Sequence, residues 1–325
     1  MSDSNDELMM ETMYWWGIPT LFRCEHNKKV SNCDIALVGV PHSTGNGTTE
    51  RDQHLGPRAV RHVSAGLRRV HLDFNINPWK KKTIFDLGDV ALPHANNNEK
   101  CIEDITNFYK KIASEYKPVV SIGGDHSITG GILQGLGANN LEMTKGKKIS
   151  FLHIDAHTDT YSQLDHFMGA KKSAAHWGAY LVDQGIINPN NSMQIGMRGN
   201  PRTLDWLQPS YDLGYNVVTM DEFKKRGIDN VIEETLDKIG DNPVYITFDL
   251  DSLDASVAPA VSNIEPSFIG FTIDEVKALI QSVKNKNVIG GDVVCLMPTK
   301  DHKNNITSMV AASVMFEIIS VIAAK

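Results

Sequence analysis

Three short runs carry most of the side chains able to do chemistry. They are Gly123-Gly-Asp-His-Ser127, Asp155-Ala-His-Thr-Asp159 and Asp249-Leu-Asp-Ser-Leu-Asp254. Each follows a short, apolar, β-branched stretch, at 119–122, 149–154 and 244–248. Ligands of open α/β sheets bind beyond the carboxyl ends of the strands, so all three runs fall on the edge where a site is expected. Asp155, His157 and Asp159 are two residues apart, as are Asp249 and Asp251. In extended chain such residues point to one side. Adding His126 places four carboxylates and two imidazoles together, and that much like charge calls for cations. Oxygen and nitrogen donors without thiolate suit Mn, Ni, Fe or Zn. Two divalent ions about 3.5–4 Å apart would absorb the charge and activate water at neutral pH. One Asp-x-Asp at a strand end is as readily a helix cap or surface loop, and His126 alone a core histidine. Three such clusters at matching strand ends are not independent accidents.

For these runs to meet, their strands must lie side by side. The stretches 35–40, 119–122, 149–154, 244–248 and 288–294 read as buried parallel strands, with weaker ones at 83–85, 193–195 and 217–219. Helical patterns lie between them. One runs over 57–70 with Pro57 near its start, and another over 275–283 behind Thr272 and Asp274 as caps. About eight strands alternating with helices predict one parallel sheet covered on both faces, with right-handed crossovers. Residues 33–325 read as a single domain. Residues 1–32 read as a tail, with Trp15, Trp16 and Phe22 outside the pattern, packing on the domain or on a neighbouring subunit.

Composition narrows the function class. Of 325 residues 41% are hydrophobic, enough for a large core, and 32 basic against 39 acidic groups give a net charge of −7. No nucleic-acid partner is expected of such a chain. Cys24, Cys33, Cys101 and Cys295 show no C-x-x-C spacing, which excludes a thiolate zinc site and a disulfide scaffold. The acidic N-terminus lacks an apolar run, so a cytoplasmic protein is expected. The apolar stretch 306–324 contains Ser308, Ser313, Glu317 and Ser320. It reads as a buried terminal helix, with no membrane partner.

The three runs resemble, in order and spacing, the signature segments of the ureohydrolase family, which includes arginase, agmatinase and guanidinoalkanoate hydrolases. Residues 39–49 and 55–61 are similar to the agmatinase branch. The resemblance implies a three-layer α/β/α sandwich around an eight-stranded, mostly parallel sheet, and a homo-oligomer, trimer or hexamer. It implies that His126, Asp155, Asp159 and Asp249 hold one divalent metal ion, Ni or Mn. Asp155, His157, Asp249 and Asp251 would hold a second, with Asp155 and Asp249 bridging. Asp159 would also orient the attacking water. His176, in Ala175-His-Trp-Gly178, falls where the family keeps a proton-shuttling histidine, with Asp251 as its charge partner. The implied reaction releases urea from a small cationic guanidine compound.

Two departures bear on which guanidine. Cys295 stands where the family has a glutamate that binds the guanidinium, and a neutral thiol cannot form that charge-assisted pair. The stretch 48–54 resembles instead the nickel-associated branch that hydrolyses free guanidine. Thr48, Thr49 and Glu50 would then line a small, closed pocket. Free guanidine, giving urea and ammonia, is therefore the expected substrate. Agmatine or a guanidinoalkanoate is the alternative, and a non-catalytic metal-binding relative the least favoured reading.

Overall fold

The computed structural model describes residues 5, 8, 9, 12–47, 50–137, 142–164, 167, 169–266 and 269–325. Nine strands form one sheet. They are β1 (Glu25–His26), β2 (Ile35–Val40), β3 (Ile84–Asp89), β4 (Val119–Gly123), β5 (Ser150–Ile154), β6 (Met193–Met197), β7 (Asn216–Thr219), β8 (Pro243–Asp249) and β9 (Asn287–Val294). Every pairing is parallel, in the order β1-β3-β2-β4-β9-β8-β5-β6-β7. β2, β4, β5 and β8 are buried along their whole length, as their continuous apolar runs require when both faces are covered. Helices Gly56–Ser64, Ile228–Ile239, Ile273–Ser282 and Ile306–Ala323 cover one face. Helices Asn98–Ala113, Ser127–Leu136 and Trp177–Asp183 cover the other. The architecture is the expected three-layer sandwich.

The strand count differs by one. β1 pairs with β3 through Glu25↔Phe85 and His26↔Asp86, and two residues are too short to show a period. It also shortens the expected tail. Leu21 and Phe22 are buried in this chain's own core, and the Leu21 N–H donates to Asp86 Oδ2 at 2.9 Å. Trp15 and Ile18 stay exposed, at 69% and 86%. The helix expected over 57–70 stops at Ser64. The helix behind Thr272 carries a full capping box with Glu275. The terminal helix Ile306–Ala323 is long and apolar enough to cross a membrane, but 78% of it is buried inside the molecule.

The chain leaves β4 and enters β5 across a gap later filled by β8 and β9. The carboxyl ends of β4, β9, β8 and β5 therefore meet at a topological switch point.

Candidate metal centre

The three runs meet at that switch point, though not as extended chain. Asp155 Oδ1 accepts the His157 N–H at 2.8 Å, and Asp159 adopts left-handed backbone (φ 52°). Asp249 Oδ1 likewise accepts the Asp251 N–H at 2.9 Å. These are Asx turns. Tight reversal after each strand, rather than strand alternation, gathers the carboxylates. Asp125 ties in the loop before it, accepting the Gly45 N–H at 2.8 Å.

His126 Nδ1 lies 2.9 Å from Asp155 Oδ2, 3.0 Å from Asp159 Oδ2 and 3.3 Å from Asp249 Oδ2. His157 Nδ1 lies 3.5 Å from Asp155 Oδ1 and 3.2 Å from Asp251 Oδ2. Two donor groups thus share Asp155. The fit to cations rests on what these atoms lack. His126 Nδ1 and Asp251 Oδ2 are buried, and neither has a hydrogen-bond partner of correct geometry among the described residues. A nitrogen surrounded by three carboxylate oxygens, yet bonded to none, matches ligands converging on a common ion. Burial alone would push the His126 imidazole down, but Asp155, Asp159 and Asp249 hold it well above its ordinary value. Burial, and then Asp249, push the Asp251 carboxyl well above its own. Both directions reflect the same surplus of buried negative charge, which divalent cations would offset.

Several supporting residues were not singled out from sequence. Gln194 Nε2 donates to Thr158 O at 2.6 Å and faces His153 Nδ1 at 3.1 Å. The opposite ring nitrogen, His153 Nε2, lies 2.7 Å from Asp155 Oδ2. The Trp177 indole donates to Asp159 Oδ2 at 2.9 Å. Arg198 grips the Asp249 loop, donating to the carbonyls of Asp251, Ser252 and Leu253 at 2.6–3.0 Å. His153 sits two residues before Asp155, so strand alternation was a usable signal. Trp177 and Arg198 gave none, because their partners are distant in sequence.

A cavity of about 610 Å³ opens over the centre. His157, Asp159, Tyr161, Phe167, Trp206 and Glu265 are among its walls. Glu265 Oε1 lies 3.3 Å from His157 Nε2. The other expected site residues lie elsewhere. His176 is buried, with Nδ1 on the Ser173 hydroxyl, and borders a second cavity that shares Tyr161 and Leu164 with the first. Cys295 is 3% exposed on left-handed backbone (φ 69°). Burial, and then Asp249 and Asp251, push its thiol well above the ordinary range. It lies in the layer beside those carboxylates, not in the cavity wall. Glu50 turns out to solvent and pairs with Lys300, where its charge stays hydrated. Glu50 thus lies outside the cavity wall where it was expected, whereas Cys295 sits behind that wall against Asp249 and Ser262. Thr48 and Thr49 lie outside the described residues.

Comparison with known proteins agrees with this geometry. Residues 33–320 match the arginase family. The chain is 31% identical over 304 residues to the human mitochondrial guanidino acid hydrolase, spanning 93% of this chain and 82% of that one. It is 31% identical to the mitochondrial agmatinase of Gallus gallus, spanning 94% and 86%. Among solved structures it resembles proclavaminate amidino hydrolase from Streptomyces clavuligerus, with a TM-score of 0.86, 27% identity, and 96% and 99% of the two chains covered. The chain belongs to the arginase family, and it is a ureohydrolase.

Proposed function

We propose that this protein hydrolyses a guanidino-alkyl compound, of the agmatine or guanidino-acid kind, to urea and the corresponding amine. The observation that carries this reading over free guanidine is the cavity. About 610 Å³ lies in the range that holds ligands with a body and a tail. Guanidine alone would leave most of it to water. The names of the similar human and chicken enzymes point to the same substrate class.

The residues divide the work. His126, Asp155, Asp159, Asp249, His157 and Asp251 would hold two divalent cations, Mn or Ni, which when bound polarise the guanidino group and activate water. Asp159, steadied by Trp177, orients a water on the cavity side. Tyr161, Phe167 and Trp206 cover the tail and exclude bulk water. Exposed Trp15, Trp16 and Ile18 suit burial against a second copy of the chain.

The test is urea release from agmatine, 4-guanidinobutyrate, 3-guanidinopropionate, arginine and guanidine, with Mn- and Ni-loaded protein. An alkyl guanidine is expected to give the highest kcat/KM. Guanidine as the best substrate would overturn this reading.

A further inference from the structure

A carboxylate outside the cluster is connected to it. Asp292, on β9, is fully buried. Its partners are three hydroxyls. Thr247 Oγ1 donates to Oδ1 at 2.7 Å, and Tyr245 OH and Thr129 Oγ1 donate to Oδ2 at 2.9 Å each. Thr247 is its register partner on β8, two residues before Asp249. The same Thr247 oxygen lies 2.8 Å from His126 Nε2.

The direction of this chain follows from donor counting. Burial pushes the Asp292 carboxyl up, against the pull of His126 and of the three hydroxyls that donate to it. With all three donating, its oxygens only accept, and a hydroxyl has one hydrogen. The Thr247 hydrogen is therefore committed to Asp292, and its oxygen must accept from His126. Nε2 of His126 then carries a hydrogen, which leaves the lone pair of the neutral ring on Nδ1. Nδ1 is the atom that faces Asp155, Asp159 and Asp249.

We propose that Asp292, acting through Thr247, is a positioning residue that holds His126 in the tautomer able to ligate a cation. The inference rests on the cluster being a metal centre. It explains why a carboxylate bonded, among the described residues, to hydroxyls alone sits in the middle of the sheet, a placement that is otherwise costly. Outer partners of this kind typically change metal affinity by about 10–100-fold.

The experiment is a metal titration of purified protein against a chromophoric chelator, comparing the unmodified chain, Thr247→Val, Thr247→Ser and Asp292→Asn. Thr247→Val leaves Asp292 its Tyr245 and Thr129 donors, so the core stays bonded. It is expected to weaken one of the two cations by about 10-fold or more. Thr247→Ser, which keeps the hydroxyl, should restore most of that affinity. Asp292→Asn should behave like Thr247→Val, which carries the test alone if the former fails to fold. Nitrogen-15 spectra of the zinc-loaded, histidine-labelled protein should show a protonated Nε2 on His126 that Thr247→Val exposes to exchange. Unchanged affinity for both cations in Thr247→Val would overturn the inference. A wild-type chain that binds no cation would instead overturn the metal reading beneath it.

Discussion

Asp155 is the side chain on which the centre turns, because its two oxygens meet His126, His153 and His157. Asp249 faces the same imidazole of His126. Replacing either by alanine removes a carboxylate from the donor set that faces His126. Asp155→Ala and Asp249→Ala are expected to abolish urea release and lower bound metal towards one ion or none, as read by elemental analysis. Two tightly bound ions in either variant would contradict the assignment. Trp177 offers a finer test. Its indole N–H on Asp159 is a bond to a charged group, worth about 1.5–3 kcal/mol. Trp177→Phe keeps an aromatic ring in the core but deletes that donor. We expect kcat to fall by about 10-fold or more with metal content unchanged. Unaltered kcat would remove Trp177 from the orientation of Asp159. The ligand carboxylates were legible in the sequence because their types and spacing are costly without a purpose. Trp177 and Gln194 were not, since a buried tryptophan or glutamine reads as ordinary core until its partner is known.

At the scale of elements, long apolar strands declared themselves and short or turning segments did not. β2, β4, β5 and β8 are largely apolar runs, the last three closed by Gly123, Asp155 and Asp249. β1 is two residues, and the run 155–159 turns because Asp155 captures a backbone N–H, an event that residue spacing does not encode. The N-terminal segment docks for a similar reason. Asp86 on β3 accepts from the Leu21 N–H and is held bidentately by Arg61 of helix Gly56–Ser64, at 2.8 and 3.0 Å. One buried carboxylate thus joins three elements. Burial would push the Asp86 carboxyl up, but Arg61 outweighs it and holds the group below its ordinary value. A depressed carboxyl stabilises the fold at pH values above its unfolded pKa, near 3.9, and that contribution fades as pH falls through the folded value. Arg61→Met leaves Asp86 buried and unpaired, which should cost about 3–5 kcal/mol at neutral pH. Measured by chemical denaturation, the gap between variant and parent should narrow as pH falls, because Asp86 without Arg61 protonates at higher pH than the paired Asp86 of the parent. A gap that stays constant with pH would show that Arg61 acts through packing alone.

For the molecule as a whole, the proposed metal ligands come from three segments at one edge of a sheet whose central strands are far apart in sequence. β4 supplies His126, β5 supplies Asp155, His157 and Asp159, and β8 supplies Asp249 and Asp251. Cations held among them would join these strands where the topology reverses. Anything that binds only the folded state stabilises it by mass action, by about 2.7 kcal/mol at a free concentration one hundred times Kd. Chelation should therefore lower the unfolding temperature of the purified protein by several degrees, and added Mn or Ni should restore it. The same treatment applied to Asp155→Ala should have little effect, because that chain has already lost its hold on the ions. This pairing separates loss of the centre from general harm by the chelator. If the unmodified protein unfolds at the same temperature with and without metal, the ions do not contribute to the fold. The buried carboxylates would then rely on protons at His126, His157 and Asp251, the groups this environment pushes upward.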